Sequence, residues 1–130
     1  MRLARVRDER GAAVVDFVLV LVVLLPLFLG ILQVGLVLHV RNTLTAAASE
    51  GARYAATADE PLAAGVGRTR EQIAGALAGR FARDVSVRPV LVAGAPGVEV
   101  DVTAAVPALG LWGPAVVVHA SGHAIEEPVP

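Results

Sequence analysis

The chain has 130 residues, 55% of them hydrophobic, a formal net charge of -1 and no cysteine. The near-neutral charge gives no electrostatic footprint for nucleic acid, and the missing thiols exclude disulfides, thiolate metal sites and a cysteine nucleophile. The length suits one membrane helix and one small domain, and all 11 basic residues are arginine, a compositional bias and not a chemical signal.

Residues 1–11 form a basic leader, in which Arg2, Arg5, Arg7 and Arg10 outweigh Asp8 and Glu9. A short basic flank before a membrane helix is held on the cytoplasmic side, which places the remainder of the chain outside the cytoplasm. From Phe17 to Leu38 there is no formal charge, and Gln33 is the only polar side chain. A run of that length spans a bilayer core as a helix. Asp16 stands at its mouth, five residues after Gly11.

Three readings compete for this run. A cleaved secretory signal has a shorter apolar region, although Ala46-Ala47-Ala48 imitates its cleavage site. A plain uncleaved anchor is the second. The preferred reading is a pilin-type signal, cut after Gly11 on the cytoplasmic face, with the apolar segment kept in the mature protein. A carboxylate within a bilayer needs a partner, and cleavage at Gly11 would create an ammonium about two turns from Asp16. A neighbouring subunit's ammonium would then pair with Asp16 and set the register between subunits. The simpler reading is that Asp16 complements the positive end of the helix dipole. Pro26 predicts a kink near Leu25. Gly30 and Gly35 have the wrong spacing for a small-xxx-small dimer motif.

The helix is expected to continue beyond the membrane, over residues 12–57, about 69 Å at 1.5 Å per residue. Val37, Val40, Leu44, Ala47, Gly51 and Ala55 recur at helical spacing as a narrow seam. Arg41, Asn42, Ser49, Glu50 and Arg53 fall largely off it. The seam suits packing on the chain's own domain and, lower down, on neighbouring helices.

The motifs so far carry a family resemblance. Glu9-Arg10-Gly11-Ala12-Ala13-Val14-Val15-Asp16-Phe17, the apolar run, Val40-Arg41-Asn42 and Glu50-Gly51-Ala52-Arg53-Tyr54-Ala55-Ala56 resemble the TadE-like family, pseudopilin-like proteins of the Tad (Flp-type) pilus machinery. The resemblance covers residues 9–56. It implies a processing site at Gly11 and Ala12 and an assembly or register role for Asp16 and Phe17. The family usually has Glu at the acidic position; Asp keeps the charge with one methylene less. It further implies a single-pass protein of the cytoplasmic (inner) membrane, N-terminus inside and C-terminal domain outside, processed by an aspartic prepilin peptidase. Its partners would be pilin-like subunits and Tad assembly proteins, and its work adhesion or secretion, within or outside a pilus.

Residues 58–68 read as a linker, with Asp59, Glu60, Pro61, Gly65 and Gly67 as loop chemistry. The extracytoplasmic domain is then 69–130. Thr69 and Gln72 have capping-box spacing and predict a second helix from Thr69 to Arg83, with Ile73, Leu77 and Phe81 on one side. Its charges read as a solvated face. Val85–Arg88 and Val98–Thr103 alternate as half-buried strands, with Gly94-Ala95-Pro96-Gly97 as a hairpin turn. Val116–Ile125 is a third strand, with Val116, Val118, Ala120 and Ala124 on one face and His119, Ser121 and His123 on the other. The expected fold is therefore α+β, and by the resemblance pilin-like: a long N-terminal helix, a short second helix and a small three-stranded antiparallel sheet. Trp112, in the apolar connection from Pro107 to Pro114, has two readings, membrane interface or core cap, the second preferred. Glu126–Pro130 reads as a frayed tail.

Catalytic chemistry is not expected. His119 and His123 lie about 13 Å apart along a strand, too far to share one metal ion, and His39 is remote in sequence. Ser49, Ser86 and Ser121 have no nucleophile-elbow context, Glu99 and Asp101 belong to a wet strand face, and there is no phosphate loop. No enzyme activity, metal, cofactor or small-molecule substrate is expected. The alternative to the pilus reading is a signal-anchored extracytoplasmic binding module that is not processed as a pilin.

Overall fold

The computed structural model describes residues 2–57, 60–109 and 113–128. Helix α1 runs from Arg2 to Ala55. The leader is thus continuous with the apolar run, and Pro26 lies inside the helix without ending it. A helix satisfies its backbone groups internally, which is what an apolar surrounding demands. At the far end the Thr57 hydroxyl donates to the Arg53 carbonyl (3.3 Å).

Helix α2 spans Leu62–Ala76, with Pro61 as its N-cap. This corrects the expected linker and cap: residues 62–68 are helical, and Thr69 is a buried interior residue whose hydroxyl donates to the Gly65 carbonyl at 2.8 Å. The physical reason is tertiary. A Cβ on Gly65 would lie 2.7 Å from the Ala55 Cβ and 2.9 Å from the Gly51 carbonyl. Gly65 therefore serves close approach of two helix backbones, and its weak helix propensity is overridden by that packing. Nor does α2 reach Arg83. Leu77 is extended (φ -134°, ψ 178°), and a short 3-10 turn, Gly79–Ala82, follows with Phe81 and Ala82 buried. Ile73 and Phe81 share the core but come from different elements.

The sheet is a meander of three antiparallel strands in the order β1-β2-β3: β1 Asp84–Val92, β2 Ala95–Val106 and β3 Val116–Ile125. The hairpin turn is Ala93-Gly94, and Pro96 and Gly97 belong to β2. Both turn residues have positive φ, 49° and 85°, which matches the twist of a two-residue hairpin. The turn expected at 94–97 is thus displaced: Gly94 supplies the left-handed position, while Pro96 pairs with Leu91.

The fold is α+β as expected, with both helices on one face of the sheet. The register aligns Val85, Val102 and Ala120 across the strands, and Val87, Val100 and Gly122. These residues face the helices. Val40, Leu44, Ala47, Ala48 and Ala52 of α1 complete the core with Ile73 and Phe81. The seam read from the sequence is therefore the buried face, widened by Ala48, Ala52 and Ala56. The tail is pinned through Glu126, whose N–H donates to the Pro96 carbonyl (3.0 Å), and Glu127, whose N–H donates to the Ala56 carbonyl (3.1 Å).

Candidate functional site on the N-terminal helix

The residues singled out for processing and assembly lie together on α1. Gly11, Ala12, Asp16 and Phe17 are all exposed, Phe17 to 64%. Nothing outside its own helix lies within 4 Å of a Cβ built on Gly11. From Val14 to Val34 the large apolar side chains other than the half-buried Leu29, including Leu24, Phe28 and Ile31, are also exposed. The helix is long and apolar enough to cross a membrane, and its most apolar window has no buried residue. Soluble monomers rarely expose a contiguous apolar surface of more than a few hundred Å². This one fits a membrane anchor.

Burial begins at the upper end of the run. Leu36 and Val37 pack partly against the core, and Val40 and Leu44 are fully buried. The transition is marked by Gln33. Its Nε2 donates to the Pro107 carbonyl (3.3 Å), and its Oε1 accepts from the Leu109 N–H (2.8 Å). One amide thus clasps the β2–β3 connection to the helix. The sequence identified Gln33 only as a lone polar residue; its signal was that a polar side chain in an apolar run must find a partner. Trp112, which carried two readings, lies outside the described residues.

Higher up, the exposed side of α1 is polar. Glu50 pairs with Arg53 (2.8 Å) and Arg68 (3.6 Å), which links the two helices. Small residues make the rest of that junction, where Gly51 lies against Gly65 and the Thr69 hydroxyl. The Gly51–Gly65 contact was missed in the sequence because Gly65 sits among loop-forming residues.

The outer face of the sheet carries the charges. Arg88 is paired with Glu99, directly opposite it, and its Nε lies 3.3 Å from Asp101. The hydrogen bond and charge of Glu99, with the charge of Asp101, hold the Arg88 guanidinium above its ordinary pKa. His119 and His123 are exposed on this face. The His119 Nδ1 is 3.1 Å from the Thr103 hydroxyl, and His123 lies opposite Glu99. Among the described residues no three His, Asp or Glu side chains are grouped to hold a metal ion.

No curated protein and no solved structure gives a match to this chain. The family model described as TadE-like protein does match, over residues 11–53. The matched segment begins at Gly11, includes Asp16 and the whole apolar run, and ends where α1 leans on the domain. Over those residues the chain is similar to the TadE-like family, the resemblance its motifs carry.

Proposed function

We propose that the chain is a membrane-anchored structural component of Tad (Flp-type) pilus assembly, a pseudopilin that works by packing and not by catalysis, in adhesion or secretion. It inserts into the cytoplasmic membrane with its N-terminus inside and its α+β domain outside. An aspartic prepilin peptidase removes the leader at Gly11–Ala12. The lower half of α1 then packs laterally against pilin-like subunits, where Asp16 pairs with a neighbour's new ammonium and fixes the axial register.

The observation that supports this reading most is the uncovered apolar face of α1. It starts beside Gly11 and Asp16, lies inside the TadE-like segment and receives no cover from the chain's own domain. A buried unpaired carboxylate is costly, so Asp16 on that face favours a neighbour that brings a positive charge. The test is the intact mass of the membrane-extracted chain with and without a matching prepilin peptidase. The expected product begins at Ala12, depends on the peptidase and is lost in Gly11→Leu. A full-length chain in both samples would refute processing.

A further inference from the structure

The β2–β3 connection carries an apolar surface that the anchor reading alone does not use. From Ala104 to Val118 the sequence contains no charged side chain, and its one polar side-chain group is the Trp112 indole N–H. Leu109 is 45% exposed, and Val116 and Val117, at the start of β3, are exposed too. Gln33 holds this connection against α1 through both of its amide atoms.

The level of Gln33 follows from helix geometry. The nearest formal charges on either side of it on α1 are Asp16 and Arg41. At a rise of about 1.5 Å per residue they bracket about 37 Å of helix, against a hydrocarbon core about 30 Å thick. With the core lowered until Asp16 sits at its inner boundary, Gln33 lies about 4 Å below the outer boundary; with the core raised to Arg41, it lies about 12 Å below. In both limits Gln33, and the Pro107 and Leu109 backbone groups bonded to it, are within the hydrocarbon.

Two further observations agree. The charge-free parts of the helix and of the sheet end at one level, where Val37, Arg41, Val116 and His119 line a common shallow groove. The described start of the connection also uses the donors nearest Gln33. Pro107 and Pro114 have no N–H, and the Leu109 N–H is used by Gln33. Irregular backbone survives at membrane depth only where its polar groups are satisfied.

We infer that Pro107–Leu109, at the start of the β2–β3 connection, form a second membrane-contact element, seated in the outer half of the lipid bilayer against α1 and held there by Gln33. This rests on the reading of α1 as a membrane anchor. Its consequence is orientational: a domain attached by one helix could swivel, whereas one with an additional loop in the lipid presents a fixed face to its neighbours.

The test uses the full chain, which has no cysteine of its own. Leu24→Cys, Leu109→Cys and Leu91→Cys are each labelled with a polarity-sensitive fluorophore and reconstituted in phosphatidylcholine–phosphatidylglycerol vesicles. Quenching by lipids with nitroxides at shallow and deep acyl positions is then compared. The expected pattern is deep quenching at position 24, shallow quenching with a blue-shifted emission at position 109, and neither at position 91, near the hairpin tip. A label at 109 that behaves like the one at 91 while 24 is quenched overturns the inference and leaves the anchor intact. An unquenched label at 24 overturns the anchor and the inference together. Adding Gln33→Leu is expected to abolish the shallow quenching at 109 and leave position 24 unchanged; persistence at 109 would refute the role of Gln33.

Discussion

Gly122 offers the sharpest test of how α1 sits on the sheet. It is buried in β3, opposite Val100. A Cβ there would overlap the backbone N and Cα of Ser49 and the carbonyl carbon of Ala48. These are main-chain atoms in the middle of a 54-residue helix, so no rotamer change relieves the overlap. Restoring an ordinary carbon–carbon distance of about 3.5 Å requires α1 to lift from the sheet by on the order of 1 Å. A gap of that size forfeits about a quarter to a half of each affected dispersion contact, here along Leu44, Val100 and Val118, which share the core. Overpacking ordinarily costs about 1–3 kcal/mol, and Gly122→Ala belongs near about 3 kcal/mol because the opposing atoms are all backbone. Small domains have only about 5–15 kcal/mol of stability in total. With a urea dependence of about 1–3 kcal/mol per M, the unfolding midpoint should fall by about 1–3 M. Pulse proteolysis of the full chain in detergent, across a urea series, reads that midpoint. Gly75→Ala in α2 is the control. Nothing lies within 4 Å of its added Cβ, and replacing a glycine by alanine in the last turn of a helix leaves stability unchanged or slightly raised. An unchanged midpoint for Gly122→Ala, or an equal fall for Gly75→Ala, would refute the close contact.

Two smaller effects can be read in the same assay. Thr69→Val replaces a fully buried hydroxyl that donates to the Gly65 carbonyl; losing that bond should cost about 1 kcal/mol, whereas Thr69→Ser keeps the bond and shifts the midpoint less. Ala93 sits at φ 49° in the hairpin turn, a conformation that costs a residue with a Cβ about 1 kcal/mol, so Ala93→Asn should raise stability by about 0.5–1 kcal/mol; a lowered midpoint would show that the turn is not of this type.

The parts of the fold that were legible are those governed by periodicity. The alternation of Val116–Ile125 defined β3 to its ends, and the helical spacing of Val40, Leu44, Ala47 and Gly51 located the buried face of α1. What was not legible depended on distant partners. Gly65 has the local chemistry of a loop and becomes helical because Gly51 lets α2 come close. Thr69 has the spacing of a cap and is instead an interior residue against that same glycine. The turn at Ala93-Gly94 was hidden because alanine seldom accepts positive φ, while the neighbouring Pro96 and Gly97 advertise a turn they do not make. At the candidate site, Gly11 and Asp16 stood out from their spacing alone. The clasp by Gln33 did not, because its partners Pro107 and Leu109 are far away in sequence.

Side-chain size along α1 explains how one helix serves two surroundings. Below Leu36 the apolar residues are large and exposed, as suits contact with lipid or with other apolar helices. At Val40 and Leu44 they are still large but buried, and they hold the helix off the base of the sheet. Beyond them the buried face shrinks to Ala47, Ala48, Gly51, Ala52, Ala55 and Ala56. There the backbone itself meets Gly122 on one side and Gly65 on the other. The helix is thus wedged apart from its domain at the membrane end and drawn against it at the distal end. The β2–β3 connection leaves the sheet at the wide end of that wedge, where Gln33 reaches it. Enlarging the small residues at the distal end would therefore do more than destabilise the core: by lifting α1 from the sheet, it would alter the angle at which the domain meets the apolar helix.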